Sequence, residues 1–180
     1  MNATEKQMFE LLKELRDNYG VLAVKAEFEA EGSRTDELVL LTEIVFRANM
    51  NLTIKIGGCE AVRDLYQCRH LGANGIMAPM IESSYAMKKF RETASRVYAD
   101  CSNEIEWIIN TETMTCLKNI DGILAVADGF LDTIVIGRVD LSGSLHLPKS
   151  EVNNERMMEI SKEFANKAKA HKMRIGVGGE

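Results

Sequence analysis

The chain has 180 residues, 46% of them hydrophobic and 27% charged, with a formal net charge of −5. That size and balance suit one globular domain with a sizeable core, and they exclude a disordered polyelectrolyte. The lysines and arginines are scattered and the net charge is negative, so neither nucleic acid nor an anionic membrane is an expected partner. No segment reads as a transmembrane span, and the opening Met1-Asn2-Ala3-Thr4-Glu5-Lys6 lacks the basic-then-apolar order of a signal peptide. Cys59, Cys68, Cys101 and Cys116 fall at no zinc-like spacing and read as free thiols of a cytoplasmic protein.

An amphipathic helix is expected from Glu5 to Asp17, and after it the apolar pattern alternates between two periods. Val21 to Glu29 alternates as a strand. Asp36 to Asn49 then places Leu38, Leu41, Ile44, Val45 and Ala48 at helical spacing. Leu52 to Gly57 is the next strand, and Glu60 to Leu71, with Val62, Leu65 and Tyr66 on one side, the next helix. The unit recurs as Gly75 to Pro79 with Ser84 to Tyr98, as Ile105 to Thr111 with Met114 to Ala127, and as Thr133 to Gly137 with Asn154 to His171. The last helix carries Met157, Ile160, Phe164 and Ala168 on one stripe. A sixth strand, Met173 to Val177, leads to Gly178-Gly179-Glu180.

A helix between every pair of strands implies a parallel sheet. Strand parity separates the two architectures that such a sheet adopts. Val24, Ala26 and Phe28 share one face of the first strand, while Lys25, Glu27 and Glu29 share the other. A doubly wound sheet would bury that charged row against apolar helices. In a barrel the row points into the lumen, along with Thr53, Lys55, Ile108, Asn110 and Glu112, while Ile54, Ile56, Trp107 and Ile109 point out. The expected fold is therefore α/β, a (βα)8 barrel of the TIM type with about six βα units. We expect a single barrel domain over residues 1–180, truncated at its carboxyl end and completed by a longer chain or a partner subunit.

Two acidic signatures close successive strands: Thr111-Glu112-Thr113 and Gly137-Arg138-Val139-Asp140-Leu141-Ser142. Parallel α/β folds build their sites at such strand ends. Glu112 and Asp140 are one βα unit apart, so they sit at the same end of neighbouring strands about 4.8 Å apart. Two carboxylates at that separation suit one divalent ion, Mg²⁺ or Mn²⁺, completed by water and a bidentate substrate. Structural roles compete with this reading at several positions. Asp140 could cap a helix, Lys55 could pair with Glu27 or Glu29, and Arg138 could be either a fork for a substrate anion or a rim residue. Ser142 is expected to bond its loop or contact substrate rather than act as a nucleophile. Gly57-Gly58 fits a tight strand-to-helix turn or an anion-binding one. His70, His146 and His171 are not expected to be catalytic.

The stretch from Ile109 to Leu145, with its I-N-T-E-T and G-R-V-D-L-S segments, resembles the HpcH/HpaI aldolase and citrate lyase β-subunit family, as does Ala78-Pro79-Met80-Ile81-Glu82 upstream. In element order the resemblance runs from Val21 to Gly179. It implies a barrel of the phosphoenolpyruvate/pyruvate type whose metal ligands map to Glu112 and Asp140. The implied activity is carbon–carbon cleavage of a 2-oxo acid or hydroxy-oxo acid through a metal-stabilised enolate. On that reading Lys55 neutralises the enolate, while Arg138, Asp140 and Ser142 contact the substrate, in what is expected to be a homo-oligomer. The chain departs from the family's pattern twice. Lys55 stands where the family has arginine, and Glu27-Phe28-Glu29-Ala30-Glu31-Gly32 lacks the family's Glu-His pair, which leaves the base unassigned. A citrate-lyase-like thioester lyase and a non-catalytic barrel module are the alternatives.

Overall fold

The computed structural model describes residues 1–179. Helix α1 (Ala3–Tyr19) opens the chain, and its N-terminus is closed by a capping box in which the Asn2 side chain accepts from the Glu5 amide while Glu5 reaches back to the Asn2 amide. Gly20, at φ +70°, ends it in the left-handed conformation that glycine adopts without strain. Strands and helices then alternate: β1 (Ala23–Glu27), α2 (Thr35–Arg47), β2 (Asn51–Lys55), α3 (Val62–Leu71), β3 (Gly75–Ala78), α4 (Ser84–Val97), β4 (Glu106–Thr111), α5 (Met114–Ala127), β5 (Thr133–Gly137), the short α6 (Arg138–Ser144), α7 (Glu155–Ala170) and β6 (Arg174–Gly178).

All strand pairs are parallel, and their order in the sheet is that of the chain, β1 to β6. A doubly wound sheet reverses its strand order partway; this one does not, so right-handed crossovers place every helix on the same face and the sheet curls into an incomplete barrel. The register fixes which side chains face the lumen. Lys25 lies opposite Thr53 and Glu27 opposite Lys55, Lys55 opposite Met77, Met77 opposite Ile108, and Asn110 opposite Val135. The other face carries Ile54, Ile76, Ile109, Ile134 and Ile136, buried under the helices. Beneath α4, Trp107 stacks on Phe130, and Phe90 and Tyr98 meet the Trp107 ring edge-on.

Some local expectations differ from the structure. β1 ends at Glu27: the chain turns there, with the Gly32 amide donating to Glu29 O, so Glu29 leaves the inward row. Glu29 lies against Gly57 instead, where a Cβ would meet its Oε1 at 2.9 Å. The Gly57 amide donates to Asp64 Oδ2 at 2.7 Å, so this turn is closed by its own helix and offers no free N–H there for an anion. In α3 the buried face is Leu65, Cys68 and Leu71, while Tyr66 points to solvent.

Candidate active site at the carboxyl ends of the strands

A cavity of about 220 Å³ opens at the carboxyl ends of the strands, lined by Lys25, Lys55, Met77, Asn110, Glu112, Val135, Gly137, Arg138, Val139, Asp140, Gly178 and Gly179. It draws on β1, β2, β3, β4, β5, α6 and the end of β6, and it corresponds to about seven water volumes, small even for a metabolite pocket. A larger groove of about 670 Å³ runs along α1 but is formed by the exposed side chains of that one helix and gathers no comparable chemistry.

Glu112, just past β4, is 1% exposed. Both of its oxygens are held: Oε1 accepts from the Met80 amide at 3.2 Å and Oε2 from Asn110 Nδ2 at 2.8 Å. Met80 presents that amide from a left-handed backbone, φ +47°, an uncommon conformation for a non-glycine residue. Burial pushes the Glu112 carboxyl above its ordinary pKa; Lys55 pulls it down and the Asp140 charge pushes it up again. The Asp140 charge thus reaches Glu112 across the cavity. Asp140 itself is exposed and sits in the first turn of α6, because the chain enters a helix directly after Gly137 rather than the expected loop.

Gly137 leaves the room that Glu112 occupies: a Cβ there would lie 2.6 Å from Glu112 Oε2. Asn110 adds a feature that strand parity alone did not single out. Its Oδ1 is buried and accepts no hydrogen bond, and the bond from Nδ2 to Glu112 forbids exchanging the two ends of the amide. Two carboxylates in Coulombic reach and an unsatisfied neutral acceptor make an oxygen-only donor set that fits a hard divalent cation and its water. Among the described residues no third acidic, cysteine or histidine side chain joins a metal-ligating group. Glu112 and Asp140 would therefore be the ion's side-chain carboxylates, with the remaining positions left to solvent and substrate.

The cations form the opposite wall. Lys55 Nζ lies 3.1 Å from Glu27 Oε1, and Lys25 Nζ lies 3.0 Å from Glu27 Oε2 and 3.1 Å from Glu31. Burial acts upward on the Glu27 carboxyl, but the two lysines together outweigh it and hold the pKa below the ordinary value. The pairing of Lys55 with Glu27 and its place in the cavity with Glu112 thus coexist. Arg138 borders the cavity with its guanidinium engaged elsewhere. Nε donates to Gly178 O at 3.2 Å, NH1 to Asn153 Oδ1 at 2.6 Å and NH2 to Gly179 O, tying α6 to the end of β6. Ser142, expected among the substrate contacts, does not line the cavity. It is 1% exposed, and its hydroxyl donates to Val139 O at 2.7 Å within α6. No histidine lines the cavity among the described residues.

A curled sheet of six parallel strands in consecutive order, alternating with helices, defines the class: an incomplete α/β barrel. The chain belongs to the HpcH/HpaI aldolase/citrate lyase family, whose model matches residues 29–176. No curated protein sequence matches it. Among solved structures it is similar to an HpcH/HpaI aldolase from Desulfitobacterium hafniense DCB-2, with TM-score 0.79 and 18% identity over 94% of this chain and 72% of that one. The citrate synthase SbnG gives TM-score 0.76 at 17% identity over 96% and 72% of the two chains. A family protein from Burkholderia cenocepacia J2315 gives 0.74 at 14% identity over 98% and 84%. At these identities the structures establish the shared fold.

Proposed function

We propose that the protein is a divalent-metal-dependent carbon–carbon lyase acting on a 2-oxo acid or its hydroxy-oxo acid adduct. The observation that carries this reading is the convergence of Glu112, Asp140 and Lys55 on one small cavity beside the unsatisfied Asn110 Oδ1. A bound Mg²⁺ or Mn²⁺ would supply Lewis-acid polarisation of the substrate's carbonyl. Glu112 is oriented for that task by Met80 and Asn110, and Asp140 reaches the same space from α6. Lys55 faces the negative charge that builds on the substrate oxygen as the carbon–carbon bond breaks. As an ammonium it neutralises that charge without the bidentate geometry of an arginine. Val135 and Met77 give the floor an apolar lining. Arg138 at the rim would contact the substrate's acid end, and Asp140 would meet the substrate through the ion they share. For Arg138 that contact requires exchanging one of its three present acceptors.

Among the described residues no histidine lines the cavity, so on this reading the substrate or its solvent provides the proton acceptor; a barrel that binds its ligand without turning it over is the second reading. A cytosolic homo-oligomer is the setting we propose; the four free cysteines support the compartment.

The test uses Mn²⁺ and pyruvate. Mn²⁺ affinity is expected to fall at least about tenfold, or 1.4 kcal/mol, in Glu112→Gln and in Asp140→Asn. Lys55→Met should keep Mn²⁺ affinity and lose metal-dependent proton exchange at the pyruvate methyl group. Unchanged metal binding in both acidic variants would sink the site assignment, and wild-type protein that binds Mn²⁺ without exchange would favour the non-catalytic reading.

A further inference from the structure

Among the described residues the lumen holds one buried acid that this mechanism does not use. Glu27 is 6% exposed, at the end of β1, and carries a lysine on each oxygen. A buried ion pair is weak evidence for stability, since apolar residues of similar volume often do as well. Apolar side chains do fill the neighbouring inward positions, Met77 on β3, Ile108 on β4 and Val135 on β5. Packing alone therefore does not call for a charged triad on β1 and β2.

The geometry of the triad gives it a direction. Glu27 and Lys55 are register partners on adjacent strands, and Glu27 is the ion-pair partner of Lys55 among the described residues. A free lysine side chain has four rotatable bonds and would follow the nearest acid. In this cavity those acids are Glu112 and Asp140, and an ammonium drawn to them would occupy the place of a divalent ion. Lys25, paired also with Glu31, closes off the second oxygen of Glu27, so the carboxylate is fixed from behind. We propose that Glu27 is a positioning residue: it holds the Lys55 ammonium on the β1–β2 wall of the cavity, apart from the Glu112/Asp140 pair and facing the substrate. This rests on the reading of Lys55 given above.

The test is a double-mutant cycle read as Mn²⁺ affinity, with proton exchange at pyruvate in the Lys55-containing proteins as a second readout. Glu27→Gln should slow exchange at least tenfold, and in a Lys55→Met background, where exchange is already lost, it should leave Mn²⁺ affinity unchanged. Released from Glu27, Lys55 should also compete for the acids, so Glu27→Gln should weaken Mn²⁺ binding severalfold, an effect that Lys55→Met abolishes. An equal loss of Mn²⁺ affinity in both backgrounds, or exchange unchanged in Glu27→Gln, would overturn the proposal. If Glu27→Gln does not fold, Glu27→Asp keeps the charge and shortens the reach by one methylene, and the same cycle applies. A third measurement needs neither metal nor turnover: the Lys55 ammonium should give a slowly exchanging ¹⁵N–¹H signal that disappears on Glu27→Gln. Persistence of that signal would overturn the proposal even if the wild type catalyses no exchange, an outcome that by itself would count only against the enzymatic reading.

Discussion

Gly137 shows how tightly one residue can be tied to another's chemistry. Its φ of −84° is open to any residue, so space rather than backbone freedom demands glycine. Gly137→Ala would put a methyl group 2.6 Å from Glu112 Oε2, well inside contact distance. The variant is expected to fold and to bind Mn²⁺ at least about tenfold more weakly in a direct titration. Wild-type affinity would mean that Glu112 can shift at no cost to the site. Glu27 carries a prediction about pH. Its folded pKa is depressed, so it contributes stability above the unfolded carboxylate value of about 4.3, and this is lost as pH falls through the lower folded value. Glu27→Gln should therefore be less stable than wild type at pH 7, and the gap in urea midpoint should shrink below about pH 4. A gap independent of pH would show that Glu27 titrates as it does in the unfolded chain. The inward placement of Lys55, Asn110 and Glu112 was legible in the sequence because strand parity has a period of two. The partners of Arg138 were not, since Gly178 and Gly179 lie about forty positions away in the chain and local pattern carries no such information.

Among elements, the clearest boundaries in the sequence were those of α5 and β5, and the reason is local. Thr113 caps α5 by accepting from the Cys116 amide at 3.1 Å, and the apolar run of β5 stops at a glycine. Helix α6 was illegible for the converse reason: seven residues containing Gly143 and two serines show no apolar period, and Gly137 at its N-cap supplies no side-chain cap that would mark its start. The Thr113 hydroxyl also donates to Glu82 Oε1 at 2.6 Å, joining the cap of α5 to the segment after β3 that supplies the Met80 amide. Thr113→Ala should cost about 0.5–2 kcal/mol in urea unfolding. It should also weaken Mn²⁺ binding modestly by loosening the Met80 contact. A stability loss with metal binding untouched would separate the cap from the site.

For the molecule as a whole, the sequence conveyed a parallel sheet with a charged lumen, because repeated βα units and a polar inward row leave few other arrangements. It could not convey how far the sheet curls, which depends on contacts between distant strands. Among the described residues β1 and β6 each pair on one side only, and Leu11, Leu15, Tyr19, Leu22, Val39 and Leu40 on and around the first two helices are exposed. Open strand edges beside apolar surface favour self-association. Sedimentation of the 180-residue chain should show species larger than a monomer at micromolar concentration; a monomer throughout would argue that the edges are protected. The consecutive strand order also shapes the route to the native state. Each strand pairs with the one before it, so the sheet can grow by closing one short loop at a time as synthesis proceeds, and relative contact order stays low for a β-containing fold. The cavity has no such local route. Lys25 meets the walls formed by Gly178 and Gly179 only when the last strand has docked, so the chain is largely folded well before its cavity is complete, and a nascent chain stalled before β6 would present its acids and lysines to water on an unfinished wall.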